Sequence, residues 1–553
     1  MTMTSPSEGN DVQSRQGPNQ ENSSSVASEP LRGWRLVVIL CSFAFGLLLA
    51  VIETSITATA LVSIGNYFGD PIKVTWVVLA YLLSYMGFAM IFTRMSDGIG
   101  RLEATIIAWI FFGAFSLGSG LAKTLNQLIG FRLLQGIGGS GLYSMVMVVG
   151  TEITPIKHYG SFSAMIGMTV AVGSILGPIL GGVITTESTW RWIYLFNAPC
   201  TAFGIFSLLV CWPRPKSNSE IAKNPLRSFH KVDYLGAILL LAASTLLVFA
   251  LQEAGAAAYA WNSAAIISAL AISAVCWCAF FGWISWLSFG EGPRGMRAIF
   301  PLTIALTRPT GPAIVAIFLT GFPYLISIIN LPQRFQIVNG ATPLMAGVHL
   351  LPLLCSMALG GGVGGAVSTR KNLTSHTLIF ATCLILLGCG LMSTVSDTLT
   401  LNKAIYGYQF ILGLGTGLTF SSVTMMANLA NKPENIAAAQ GAISQARIFG
   451  GSIGLSIATI VLNHKINTEL AGILTPFQLH NLEQSLTTIA ELSPSDRAAV
   501  TRVYAASFGT QMRICTYLSA AGVIAATGTY LSEPPKISAP MEPVHVDTEM
   551  VRY

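Results

Sequence analysis

The chain has 553 residues, of which 52% are hydrophobic and only 10% charged, and its mean hydropathy is +0.63. Soluble domains carry roughly 25% charged residues, so this composition excludes a soluble enzyme and points to an all-α polytopic membrane protein. The formal charge of +6 is not gathered on one element, which argues against a nucleic-acid partner, and nine scattered cysteines without a CxxC pair argue against a disulfide framework or a metal site.

Residues 1–36 form a polar tail. Its first 31 residues are rich in Ser, Asn, Gln and Glu and are expected to be disordered. No basic start and short apolar core mark a cleavable signal peptide there, so the first span is expected to act as the insertion signal. Fourteen apolar runs of bilayer-spanning length follow. They fall at 37–58, 74–93, 103–122, 128–150, 162–184, 193–212, 234–252, 263–284, 311–331, 344–366, 376–395, 403–424, 440–462 and 513–531.

The first span contains Ala50-Val-Ile-Glu53-Thr54-Ser55-Ile-Thr57-Ala-Thr59. A carboxyl taken out of water favours its neutral form. Glu53 therefore either cycles a proton or stays a neutral acid that bonds between helices. After the second span comes Arg94-Met-Ser-Asp97-Gly-Ile-Gly100-Arg101. Asp97 can pair with a neighbouring base, and Gly100 permits a tight turn. The fourth span opens with Phe131-Arg132-Leu-Leu-Gln135-Gly136-Ile-Gly138-Gly139. Arg132 either faces the interior of the bundle or snorkels to the interface. In the fifth span, Gly173-Ser-Ile-Leu-Gly177-Pro178-Ile-Leu-Gly181-Gly182 puts Gly173, Gly177 and Gly181 on one face, where another helix can approach closely. Pro178 is expected to bend that helix.

The first six spans, 37–212, are closed by a basic loop at 213–233. Two inserted spans at 234–284 and a linker at 285–310 lead to a second six-span unit at 311–531, with a long loop at 463–512 and a tail at 532–553. A faint repeat supports duplication. Gly360-Gly-Gly-Val-Gly364-Gly365-Ala-Val-Ser-Thr-Arg370-Lys371 reads as a small-residue hinge ending in basic residues, like the segment around Asp97. In the second unit Arg447 lies inside a span and is expected to meet either substrate, a carboxyl or backbone carbonyls. Tyr324 and His349 are further candidates for a substrate cavity, as is Gln135 of the first unit; Trp76, Tyr81, Tyr85 and Phe335 are weaker ones.

With both termini inside, nineteen Lys and Arg fall on inner segments and eight on outer ones. The positive-inside rule therefore favours cytoplasmic termini. The glycosylation triplets at Asn22 and Asn372 then face the cytoplasm and are expected to stay unmodified.

The pattern from Gly173 to Gly182 resembles the fifth-helix antiporter signature of the major facilitator superfamily. Asp97-Gly-Ile-Gly100-Arg101 resembles its cytoplasmic gating motif, and the Arg132 segment resembles its fourth-helix motif. The gating match departs at Thr93, where the family prefers Gly, at Gly98, and at Leu102 and Glu103, where basic residues are usual. Weaker locking is expected. The Glu53 segment resembles the first-helix motif of the fourteen-spanner drug:proton antiporters of fungal type, where Asp is usual. Trp190-Arg191-Trp192-Ile-Tyr-Leu-Phe-Asn197-Ala-Pro199 and Gln440-Gly441-Ala-Ile-Ser-Gln-Ala-Arg447-Ile-Phe-Gly450-Gly451 resemble further marks of that subgroup.

The resemblance implies a major facilitator fold of two six-helix bundles plus two inserted helices. It implies proton-coupled export of small amphipathic organic compounds, namely drugs, toxins or secondary metabolites. Glu53 and Arg132 carry proton coupling in this reading. Asp97, Gly100 and Arg101 form the gate, and Gly173, Gly177, Pro178, Gly181 and Gly182 the hinge. The expected partners are substrate, protons and the lipid bilayer, with no cofactor, no metal and no nucleic acid, and the protein is expected to be a monomer. The plasma membrane is the default location, with a vacuolar or vesicle membrane as alternative. Other readings are a siderophore or specific-metabolite transporter and, from another class, a non-transporting membrane sensor.

Overall fold

Long apolar stretches without water to satisfy their backbone must bond internally, and helices do this within one segment. The structure, a computed structural model, is accordingly helical throughout its named elements. It describes residues 33–534 apart from 70–72, 156–157, 213–232, 257, 290–295, 297, 396–401, 476, 480–481 and 483–491. The terminal tails and nearly all of the 213–233 loop therefore lie outside the described residues.

The first unit comprises α1 (Trp34–Phe68), α2 (Trp76–Gly87), α3 (Ala89–Ile99), α4 (Arg101–Leu121), α5 (Leu125–Ile153), α6 (Tyr159–Glu187), α7 (Trp192–Leu195) and α8 (Asn197–Cys211). The inserted pair is α9 (Tyr234–Gly255) and α10 (Ala264–Phe289). The linker contributes α11 (Leu302–Leu306). The second unit comprises α12 (Thr310–Ile337), α13 (Pro343–His349), α14 (Leu351–Arg370), α15 (Thr374–Ser393), α16 (Ala404–Ala430), α17 (Pro433–Glu469) and α18 (Pro494–Thr527).

Among the described residues, twelve helices are long and apolar enough to cross a membrane, or thirteen if α2 and α3 count as one bent span. The expected fourteenth corresponds to α18. Gln511, Arg513, Thr516 and Ser519 dilute its apolar character, yet it packs against α12, α15 and α17 as a member of the second bundle. Helix α1 runs from Trp34 to Phe68, well past the expected 37–58. Its hydroxyls bond to their own backbone and allow it to continue: Thr54 bonds to Val51 O at 2.7 Å, Ser55 to Ile52 O at 3.1 Å and Thr57 to Glu53 O at 3.2 Å.

The observed 46° break lies between Tyr85 and Ala89, where Gly87 makes room for Leu241 of α9. Helix α6 is continuous from Tyr159 to Glu187; the ring of Pro178, where a bend was expected, lies outside the described residues. The expected hinge at Gly360–Gly365 is corrected as well. This stretch is the interior of α14, and its glycines allow close packing: a Cβ on Gly360 would strike Leu414 O, and one on Gly364 the Ser421 hydroxyl. The turn follows only after Arg370.

One apolar core runs through both bundles, from Phe43, Trp109 and Phe112 of the first to Phe335, Leu354 and Met512 of the second. The two bundles meet where α6 lies along α14 and where α3 and α5 meet α17. The inserted pair leans on the seam, with α9 packed against α2 and α17. Many large apolar side chains on the outer face are exposed, among them Ile267, Val275, Phe281 and Phe289 of α10, a surface suited to lipid rather than water.

Candidate ion-pair and gating site

Glu53 and Arg132 come together, although 79 positions separate them in the chain, and both are completely buried. Arg132 Nη1 lies 2.5 Å from Glu53 Oε1. The same nitrogen donates to Gln135 Oε1 at 2.8 Å, and Nε donates to Val77 O at 3.0 Å. Asn197 Nδ2 donates to the other carboxylate oxygen, Glu53 Oε2, at 2.7 Å and to Ser116 Oγ at 2.9 Å. Ser116 in turn donates to Tyr194 O at 2.9 Å. The guanidinium carbon sits 4.3 Å from the ring centre of Tyr81 and 5.4 Å from that of Tyr194, a geometry for cation–π attraction.

The sequence builds this cluster from six elements. The short α7 breaks before α8 so that Tyr194 and Asn197 both face inward. Thr124 caps α5 by accepting from Gln127 N at 3.3 Å, which starts the helix about two turns before Arg132. Gly136 and Gly138 have no room for a side chain, because a Cβ would strike Tyr81 O and the Phe112 backbone respectively. That closeness brings α2 and α4 against α5 and seals the site. Burial of a charge is tolerated only when it is paired and hydrogen-bonded. Here four side chains share that task, but Arg132 Nη2, Gln135 Nε2 and Asn197 Oδ1 have no protein partner among the described residues. The snorkelling alternative for Arg132 is excluded by its full burial. Gln135 joins the ion pair and is 0% exposed, so it does not face the inter-bundle cavity where it was expected.

The gating residues also assemble. Arg101 Nη1 is 2.8 Å and Arg94 Nη1 3.3 Å from Asp97. Arg101 further holds Glu152, at the end of α5, through Nη2–Oε1 at 2.6 Å and Nε–Oε2 at 3.0 Å. This bidentate pair ties the α3–α4 turn to the end of α5. Gly100 has φ +111°, which favours glycine, and serves as the hinge between α3 and α4. Arg94 Nε reaches out of its bundle to Ile299 O at 3.1 Å. Ile299 N donates to Asp233 Oδ2 at 3.2 Å, and Asp233 also accepts from Trp283 Nε1 at 2.8 Å. The gate is thus tied to both inserted helices. Thr93, where glycine was expected, fits against Gly441 of α17, so the small residue has moved to the opposite helix.

Of the glycine face, Gly173 meets Val51 and the Leu48 carbonyl, and Gly177 meets Ser55 and the Ile52 carbonyl. Gly181 is buried. A Cβ on Gly182 would meet nothing within 4 Å, so the last glycine of the pattern does not serve this contact. A Cβ on Gly167, earlier on α6, would stand 3.2 Å from the Ala358 backbone of α14.

Tyr324 lines a narrow cavity between the bundles, with a volume of about 10 Å³, together with Val170, Met357 and Phe420. Arg447 lies over the Phe420 ring, its guanidinium carbon 3.5 Å from the centre. His349 is elsewhere: it bonds the Tyr406 hydroxyl at 2.7 Å and packs against Phe335. Asn372 caps the α14–α15 turn by accepting from Thr374 Oγ1 at 2.7 Å, and Asn22 lies outside the described residues. Sequence reasoning did not single out Asn197, Ser116 or Glu152 as site residues. Membership of the segment from Trp190 to Pro199 was the one signal for Asn197; Ser116 and Glu152 had none.

The chain is similar to known proteins along most of its length. The family description "Major Facilitator Superfamily" matches residues 43–455. The "MFS-type transporter FPY5" of Fusarium mangiferae is 34% identical over 517 residues, covering 92% of this chain and 86% of that protein. "Multidrug resistance protein 3" of Bacillus subtilis is 29% identical over 438 residues, covering 78% of this chain and 82% of that protein. Among solved structures, a bacterial homologue of the human lysosomal transporter Spinster, inward-facing and unoccupied, aligns with TM-score 0.52 at 14% identity, over 90% of this chain and 98% of that one.

Proposed function

The chain belongs to the major facilitator superfamily, and from that premise we propose that it is a proton-driven exporter of small amphipathic organic compounds. It is a multi-pass membrane transporter rather than an enzyme. The observation that carries the proton coupling is the sealed Glu53–Arg132–Asn197 cluster. A carboxylate in it is held by a guanidinium and an amide; a protonated acid no longer balances Arg132.

The step reaches the other bundle by a short route. Glu53 shares one helical turn with Val51, Ile52 and Ser55, the residues that press on Gly173 and Gly177 of α6. Helix α6 lies on α14, so a shift of α1 on protonation moves the surface on which the bundles rock. The Asp97–Arg101–Glu152 cluster ties α3, α4 and α5 of the first bundle together, and the Arg94–Ile299 bond ties that bundle to the linker.

In this reading both termini are cytoplasmic, α18 is the fourteenth span and the default site is the plasma membrane. The expected loop at 463–512 shortens to 470–493, because α17 runs to Glu469 and α18 begins at Pro494; cysteines placed in the 213–233 loop should label only from inside, and those at 470–493 only from outside. The coupling itself is tested by removing the pH gradient with an ionophore while ATP is kept present. Concentrative export should then stop; export that continues unchanged sinks the proton-driven reading.

A further inference from the structure

Among the described residues four arginines are buried in the helices, Arg94, Arg132, Arg334 and Arg447, and of these Arg132 and Arg447 stand in opposite circumstances. Arg132 has a carboxylate against it. Arg447 is only 4% exposed, yet among the described residues its side chain has no hydrogen bond and no ion pair; its contact is the face of Phe420. Helices α12 to α17 offer no nearby counter-charge. The sequence has no Asp or Glu between Glu291 and Asp397, between Asp397 and Glu434, or between Glu434 and Glu469. Glu434 and Glu469 stand 13 and 22 positions from Arg447 on α17, which is about 20 and 33 Å along a helix. Glu53, in the other bundle, is already engaged by Arg132 and Asn197.

A buried charge without a partner is costly in a membrane and is retained where function needs it. The surroundings of Arg447 are those of a ligand site. Phe420 and Tyr324 line the inter-bundle cavity. Tyr324 is within electrostatic reach of Arg447 and of Tyr143, and the phenols of Tyr85, Tyr143 and Tyr324 neighbour one another. None of these three hydroxyls has a hydrogen-bond partner among the described residues, so each is available as a donor. A cation, phenolic donors and aromatic walls match an acidic group joined to an apolar or aromatic body.

We propose that Arg447 is the anchor for an anionic group, a carboxylate or an acidic enolate or phenolate, on an amphipathic substrate held between Phe420 and Tyr324. The protein therefore selects organic acids over cations of the same size. This inference rests on the reading of the chain as a transporter and adds its substrate class.

The test is binding to the purified full-length protein in detergent, read by thermal stability and aromatic fluorescence quenching. The probes are anthracene-9-carboxylate and its uncharged amide. Wild type should bind the carboxylate and be stabilised by it, with the amide weaker by about tenfold or more. Arg447→Gln should lose this preference, and Arg447→Lys should retain part of it. Ligand-free Arg447→Gln should melt close to wild type, because the arginine it removes has no hydrogen bond or ion pair to lose, only its contact with the Phe420 ring; a structural arginine would give a clear drop. Equal binding of carboxylate and amide by wild type overturns the proposal, as does undiminished carboxylate binding by Arg447→Gln. The same probes in liposomes under a pH gradient separate this from the coupling. Binding as expected without gradient-driven transport leaves the anion anchor standing and removes proton coupling.

Discussion

Glu53→Gln is expected to abolish concentrative export while leaving substrate exchange across the membrane largely intact. The amide keeps the shape of the protonated acid, but the two donors now on the carboxylate sit on different oxygens, Arg132 Nη1 on Oε1 and Asn197 Nδ2 on Oε2, and its single carbonyl oxygen can take the place of only one of them. It cannot release a proton. Gradient-driven accumulation should fall by roughly a hundredfold or more, equivalent to about 2.7 kcal/mol at the coupled step. Arg132 then lacks a counter-charge, and breaking a buried pair typically costs about 3–5 kcal/mol; the retained hydrogen bond offsets part of this, so a lower melting temperature should accompany the loss. Glu53→Asp should retain some coupling, because the acid survives on a shorter arm. Full gradient-driven accumulation by a well-folded Glu53→Gln protein contradicts the assignment.

Gly177→Leu is expected to reach the membrane in normal amount and to transport at roughly a tenth of the wild-type rate or less, about 1.4 kcal/mol or more at the rate-limiting step. A Cβ at this position already strikes the Ser55 hydroxyl and lies 3.1 Å from Ile52 O. The bulkier side chain separates α6 from the very turn that carries Glu53. Overpacking of this kind typically costs about 1–3 kcal/mol, which a large bundle survives, whereas the rocking contact does not. Gly182→Ala is the control: its Cβ meets nothing within 4 Å, and it should transport like wild type. Wild-type transport by Gly177→Leu, measured at matched surface expression, reduces these glycines to packing.

The parts of this site legible in the sequence were those whose chemistry is rare in a membrane. Glu53 and Arg132 stand out because a charge inside an apolar run demands an explanation. Gly173 and Gly177 stand out because glycine at a spacing of four marks a close approach. Asn197 and Ser116 do not, since an uncharged polar residue in a span more often bonds its own helix, as Thr54 and Ser55 do. Glu152 was hidden for another reason: its partner Arg101 is 51 positions away, and only the fold brings α5 back to the α3–α4 turn. Gly360 and Gly364 were misread because glycine permits both a hinge and a tight helix crossing, and the local sequence is the same for both. The break at Gly87 was missed because it carries no proline; Leu241 of a distant helix occupies the space there. Polar residues in α18 make its membrane character depend on its neighbours rather than on its own composition.

The most direct test of the central claim is proton flux through the purified protein in liposomes, followed with a trapped pH dye. Substrate added on one side, with no imposed pH gradient, should drive protons the opposite way in wild type. The flux should be absent in Glu53→Gln, even while labelled substrate still exchanges. Substrate movement in wild type with no accompanying proton flux would contradict the account and leave a facilitated carrier in its place.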